Sequence, residues 1–284
     1  MPTAVVINVD TFAVTALAVL SVRSRTDCPI RLIDCSRRRK EREQASSLAR
    51  HLGIRFQHWP LLSHGSNLGR LFSELEVEEA LLVDSDAELL DESLVPRLTA
   101  ALDPAIHYGS GWLQPTARMS SLGMPWGLYL ERMWLPFVLL RTAPVRAALR
   151  DGASFDHFKI YNDFPNWPRL SRMLALRYRL PFCGASKLKR FERFRNAYSG
   201  SRPSLVYSDT GAAVHQRLVA NGWCFGELDW RLQDDALIHH HGVTRRTLNW
   251  LDTNSASSRA VLRWARQRIR REYAASLPEH LLPG

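Results

Sequence analysis

Ala80-Leu81-Leu82-Val83-Asp84-Ser85-Asp86-Ala87-Glu88-Leu89-Leu90 is the stretch on which the reading of this chain turns. Its opening four residues form a short apolar run, as expected of a strand buried on both faces. The run then ends in two carboxylates one residue apart. In an extended segment, residues i and i+2 point the same way, so Asp84 and Asp86 can converge on one cation. Hard oxygen ligands suit Mg²⁺ or Mn²⁺, which keep open positions for the oxygens of a diphosphate. Asp and Ser are also common turn formers, so an ordinary strand-to-turn junction would use the same letters. The flanking segments decide between the two readings.

Upstream, residues 4–10 read as a first buried strand ending at Asp10, and Thr11 opens a helix over residues 11–23 with Phe12, Thr15, Ala16, Val19 and Leu20 at helical spacing. Residues 30–36 form a second strand with Asp34 near its carboxyl end. A charged helix over residues 37–51, stopped by Gly53, leads to a third strand over residues 54–58. Residues 60–69 read as a loop carrying His64, Gly65, Asn67 and Gly69, whose glycines let backbone approach a ligand. A helix over residues 70–79 then feeds the strand that delivers Asp84 and Asp86. Strands alternating with helices imply an α/β fold with a mostly parallel sheet. Ligands bind such sheets at the carboxyl ends of the strands, where Asp10, Asp34 and the Asp84/Asp86 pair all fall.

This order resembles the nucleotide-binding half of the GT-A-fold glycosyltransferases, particularly the family-2-like group. The resemblance is carried by Ile33-Asp34-Cys35-Ser36, by Asn67-Leu68-Gly69 and by the strand ending in Asp84-Ser85-Asp86. It implies a Rossmann-like sheet flanked by helices, with Asp10, Thr11, Asp34, Asn67 and Ser85 around a nucleotide-sugar. Asp84 and Asp86 would hold its diphosphate through Mn²⁺ or Mg²⁺. The implied partners are a nucleoside-diphosphate sugar and an acceptor hydroxyl on a glycan or lipid-linked carrier.

Downstream, residues 91–101 read as a helix and residues 106–109 as a strand. Residues 112–134 read as an irregular aromatic segment with Trp112, Trp126, Tyr129 and Trp134, whose flat faces suit sugar rings or core packing. Residues 137–141 read as a central strand leading into a helix over residues 143–150. Tyr207-Ser208-Asp209-Thr210-Gly211 and the helix after it resemble the family's base-bearing helix, with Ser208 where the family has Glu; this makes Asp209 the candidate general base. Its rival is Asp163, and capping is the structural alternative for Asp209. Ala236-Leu237-Ile238-His239-His240-His241 reads as a strand whose alternation puts His239 and His241 on one face. Imidazole suits Mn²⁺, and the family's C-terminal histidine completes its metal site; His239 is the first choice and His241 the second. Arg245, in the turn that follows, would neutralise phosphate.

The expected organisation is one GT-A-like domain over residues 1–250, with its nucleotide-binding half at 1–102 and its acceptor half at 103–250. A basic amphipathic helix and tail occupy 251–284. Apolar residues at 45% and charged residues at 23% fit a globular chain rather than a disordered one. A formal charge of +10 implies an anionic partner, and a basic C-terminal helix can lie on an acidic membrane surface. Cys28, Cys35, Cys183 and Cys224 have no zinc-like spacing and read as buried reduced thiols of a cytoplasmic protein. Two other classes compete. A nucleotidyltransferase would carry a glycine-rich basic loop after the first strand, where Asp10-Thr11-Phe12-Ala13 stands instead. A basic nucleic-acid-binding protein leaves the acidic strand ends unexplained, and no nucleic-acid partner is expected.

Overall fold

The computed structural model describes residues 1–118, 127–161, 205–240 and 255–282. The first strand, β1 (Thr3–Asn8), is followed by helix α1 (Phe12–Arg25), strand β2 (Ile30–Asp34), helix α2 (Arg39–Leu52), strand β3 (Arg55–His58), helix α3 (His64–Glu74) and strand β4 (Glu79–Asp84). A short β5 (Ala87–Leu89), helix α4 (Leu94–Ala101), β6 (His107–Gly111) and four short strands come next: β7 (Leu113–Gln114), β8 (Ala117–Arg118), β9 (Gly127–Tyr129) and β10 (Arg132–Met133). They lead to β11 (Phe137–Arg141), α5 (Thr142–Arg150), β12 (Phe158–Tyr161), β13 (Leu205–Ser208), α6 (Ala212–Ala220) and β14 (Cys224–Glu227). The chain continues through α7 (Gln233–Ala236) and β15 (Leu237–His239) to α8 (Ser255–Glu272).

The central sheet has seven strands in the order β14-β6-β11-β4-β1-β2-β3. All run in one sense except β11, which is antiparallel to both β4 and β6. The molecule is therefore a mixed α/β structure with a mostly parallel sheet. Period-two alternation builds two cores from the same strands. Ala4, Val6, Leu81, Val83, Phe137 and Leu139 face α1, α2 and α8 on one side. Val5, Ile7, Ala80, Leu82, Val138 and Leu140 face α3 and α5 on the other. From β1 the chain steps outward to β2 and β3, then returns to place β4 on β1's opposite flank. That reversal opens a crevice at the carboxyl ends of β1 and β4.

Three expectations change. The loop expected up to Gly69 is largely helix: α3 starts at His64, capped by Ser63, whose Oγ accepts the Ser66 N–H at 3.0 Å. Gly65 is there because a Cβ would lie 2.4 Å from the Asp156 backbone nitrogen. The segment expected to be irregular contains β7 to β10, and its Trp112 and Trp134 are buried in an edge-to-face pair 5.5 Å apart; Trp126 lies outside the described residues. Among the described cysteines Cys28 and Cys35 are buried, but Cys224 is exposed.

The C-terminal helix α8 packs on α1 and buries Ala265, Ile269 and Tyr273 in the first core. Arg259, Arg263, Arg270 and Arg271 remain exposed. Among the described residues, no helix is long and apolar enough to cross a membrane.

Candidate metal and donor site

Strand β4 carries Asp84 to the crevice, and the chain turns through Ser85 and Asp86 into β5. The two carboxylates are thus brought together by a turn rather than by one extended strand. Strand β15 pairs antiparallel with β5, setting His239 opposite Ala87, and the His240 N–H donates to the Asp86 carbonyl at 2.9 Å. This antiparallel pairing of strands distant in sequence delivers the His239 ring to both acids. Its Nε2 lies 3.6 Å from Asp84 Oδ2 and 3.3 Å from Asp86 Oδ1, and the three ligand atoms all fall within 4.8 Å of one another.

An octahedral ion with bonds of about 2.1 Å spaces neighbouring ligand atoms about 3 Å apart, so a small contraction seats one. Two carboxylates and an imidazole suit Mn²⁺ or Mg²⁺ and leave positions for a ligand's oxygens. Trp134 meets the His239 ring edge-on at 5.4 Å and fixes its plane. The His239 side chain is only 7% exposed. Burial opposes its charged form, yet hydrogen bonds and charges from Asp84 and Asp86 outweigh burial and raise its pKa to about 9. The acids therefore favour positive charge at this point. His64, at the start of α3, adds a second imidazole with Nε2 4.0 Å from Asp84 Oδ1. Beside Asp84 lies a small apolar pocket walled by Val5, Ile7, Leu68, Leu82 and Leu135.

Asp10, Thr11 and Asp34 stand at the carboxyl edge of the sheet, but all are buried. Asn8, which ends β1, binds them together. Its Nδ2 donates to Asp34 Oδ1 at 2.8 Å, and its Oδ1 accepts from Thr15 Oγ1 at 2.8 Å. Asp34 also accepts from Ser36 Oγ at 2.7 Å and faces His58 Nδ1 at 3.1 Å. Asp10 adopts a left-handed φ of 52°, and its carboxylate accepts from the Arg38 N–H at 2.9 Å and Arg37 Nε at 3.2 Å. These acids stitch β1 to the segment after β2 and form the floor of the crevice. Asn67 is buried in α3, donates to Cys35 Sγ at 3.4 Å and leaves its Oδ1 without a partner. A buried amide oxygen held back from the network is the kind of group a ligand donor satisfies.

Asp209 follows β13 and precedes α6. Its Oδ1 accepts from the Thr210 N–H at 2.9 Å and its Oδ2 faces Arg132 Nε at 3.3 Å. The Ala212 N–H donates to its main-chain carbonyl, while Gly211 takes the residue position just before the helix with φ 86°. The carboxylate is part-exposed and held at one oxygen by a cation. Arg132 belongs to β10, and the Asp84 N–H donates to Pro136 O at 2.9 Å. Four residues of extended chain span at most about 14 Å, so one short segment ties Asp209's partner to the acidic turn. Asp163, His241 and Arg245 lie outside the described residues.

Two arrangements escaped sequence reasoning. Asn8 showed a local signal, a polar residue closing an apolar strand. A buried relay gave none: Tyr108 OH lies 2.5 Å from His215 Nδ1, and His215 Nε2 lies 3.0 Å from Glu131 Oε1.

No family model matches the chain, and no curated protein matches it. Several solved structures share part of its layout. The galactosyltransferase LgtC in complex with donor and acceptor sugar analogues is 12% identical, covering 97% of this chain and 100% of LgtC, with a TM-score of 0.45. Glucosyl-3-phosphoglycerate synthase from Mycobacterium tuberculosis, in complex with Mn²⁺, UDP and phosphoglyceric acid, is 13% identical over 51% of this chain and 57% of its own, with a TM-score of 0.37. The 4-diphosphocytidyl-2C-methyl-D-erythritol synthase of Anaerococcus prevotii is 10% identical over 53% of this chain and 74% of its own, with a TM-score of 0.38. At such scores the assignment rests on this chain's own residues.

Proposed function

We propose that this protein is a metal-dependent glycosyltransferase of the GT-A type that moves a sugar from a nucleoside-diphosphate sugar to an acceptor hydroxyl with inversion. The observation that carries the reading is the convergence of Asp84, Asp86 and His239 at the point where the strand order reverses. These three residues would hold Mn²⁺ or Mg²⁺, and the ion would supply neutralisation of the diphosphate as it departs. Ser85 would contact the diphosphate and Arg245 would neutralise its charge, while Asp10, Thr11, Asp34 and Asn67 would shape the nucleoside end.

Asp209 accepts the acceptor's proton as general base. The acceptor oxygen forms its bond to the anomeric carbon as the bond from that carbon to the diphosphate oxygen breaks, and the proton ends on the Asp209 carboxylate. Arg132, 3.3 Å from one oxygen, sets the plane of the group.

A nucleotidyltransferase would grip phosphate with a loop at the start of α1. Here Glu41 Oε2 accepts the Phe12 N–H at 2.7 Å, so a carboxylate already occupies that helix terminus and disfavours a second anion.

Thermal shift against UDP-, GDP-, dTDP- and CDP-sugars, with and without Mn²⁺, tests the reading on the native protein and on Asp86→Ala. Stabilisation by one nucleotide class that needs the metal and disappears in the variant is the expected result, since a ligand of the folded state raises apparent stability by mass action. A folded native protein that no donor stabilises would sink it. Steeply salt-dependent binding to random oligonucleotides would then put the nucleic-acid reading first.

A further inference from the structure

The β5–β15 ladder beside the acidic turn is braced from outside by side chains of α8 and α1. Glu88 sits two residues after Asp86 in β5, is 1% exposed and takes Arg268 Nε on its Oε1 at 2.7 Å. Arg268 projects from α8 and also meets Glu272 at 2.7 Å. One turn earlier on α8, Trp264 lies 4.5 Å from the ring of His240, the residue whose N–H is bonded to Asp86. Beyond β5, Arg25 donates to the Leu90 carbonyl at 3.0 Å and to Tyr273 OH at 2.7 Å, closing the brace at the far end of α8.

On a helical wheel α8 thus has three sides. Ala265, Ile269 and Tyr273 enter the core, Trp264, Arg268 and Glu272 face the β5–β15 ladder or its ion pair, and Arg259, Arg263 and Arg270 point to water. Apolar residues of the same size would stabilise the side of α8 facing this ladder at least as well as a buried ion pair, which is weak as a source of stability. What an ion pair with one allowed geometry adds is position.

We propose that α8 is a positioning clamp on the metal site, with Arg268 acting through Glu88, and Trp264 through His240, to hold Asp86 and His239 at coordinating distance. The inference depends on the metal reading of Asp84, Asp86 and His239 given above. It assigns the C-terminal helix a role in the donor site rather than at the surface alone.

The test is Mn²⁺ titration of the full chain followed by electron paramagnetic resonance, alongside melting curves. The Glu88→Leu/Arg268→Met pair removes both charges together and leaves neither a charge nor an amide stranded in the interior. It is expected to keep its melting temperature near the native value while its Kd for Mn²⁺ weakens about tenfold or more, the usual effect of losing an outer partner of a metal ligand. Ile269→Ala loosens the same helix without touching the pair and is expected to lower the melting temperature with Kd unchanged. Native affinity in the double variant would overturn the clamp, as would equal weakening in Ile269→Ala, which would make helix packing the cause. Absence of Mn²⁺ binding by the native protein would instead remove the metal reading, and the clamp with it.

Discussion

On the proposed reading, proton and metal compete for the same nitrogen of His239, and the competition can be measured. The His239 ring has a pKa of about 9 in the metal-free protein, so at pH 7 only about one molecule in a hundred offers a bare Nε2. A metal ion must expel that proton before it binds. Affinity for Mg²⁺ or Mn²⁺ is therefore expected to tighten about tenfold per pH unit from pH 7 towards pH 9, with close to one proton released per ion. Calorimetric titration in two buffers of different ionisation enthalpy reads the proton count directly. His239→Asn, which leaves both carboxylates in place, should bind metal weakly with no proton release.

The same ring sets a sign for stability. Its folded pKa lies above the ordinary unfolded value near 6.5, so its contribution is fully present below pH 6.5 and is lost as pH rises through 9. The gap corresponds to about 3 kcal/mol. Flat metal affinity over this range with no proton released, together with native affinity in His239→Asn, would show that His239 is not a ligand and would refute the assignment of the site.

Other perturbations report on separate parts of the structure. Tyr108→Phe leaves His215 Nδ1 buried without its hydroxyl 2.5 Å away, and should cost about 1–3 kcal/mol in urea denaturation; a change within about 0.5 kcal/mol would show that the relay is dispensable. Gly65→Ala drives a methyl to 2.4 Å from the Asp156 backbone nitrogen, a neighbour that cannot rotate away, and should cost about 1–3 kcal/mol. An unchanged melting temperature would mean that α3 is not seated on that loop. Asp209→Asn should lower turnover by about a hundredfold or more while leaving donor affinity alone; near-native turnover would make Asp209 a structural residue.

The parallel strands were legible because a strand buried on both faces needs an unbroken apolar run, and each run ends in a polar residue where the sheet meets solvent or a ligand. β1 and β4 show this pattern, β2 shows it apart from Arg31, and the placing of Asp84 at a strand end follows from it. Helix α3 was misread because Gly65 and Gly69 look like loop residues. Gly65 is in fact required by the closeness of a loop about ninety residues away, a contact with no local trace in the sequence. His239 could be anticipated from strand alternation, although the bend through Ser85 and Asp86 could not. In the sequence Asp10 draws more weight than Asn8, since a carboxylate suggests chemistry more readily than an amide does. The importance of Asn8 lies in partners at Asp34 and Ser36, which only folding brings within 3.1 Å. The Arg268–Glu88 pair, 180 residues apart, belongs to the same class of long-range information.

The antiparallel strand β11 links the two sets of residues that the proposed reaction requires. Entering the sheet against the grain, it lies directly on β4 with Phe137 opposite Val83, and the residue before it bonds the Asp84 N–H. The chain leading into it is β10, where Arg132 holds Asp209 and pairs with β7. A parallel strand at this place would start at the opposite edge of the sheet and leave Arg132 far from the carboxyl ends. Because β11 is reversed, its entry rather than its exit lies at the crevice, and Asp209 is anchored through Arg132 to the backbone that also holds Asp84. On the proposed reading, the separation between base and metal is then set by a few residues of extended main chain. A shift of Pro136 would move Asp84 and Asp209 together, keeping the two sides of the proposed reaction in register.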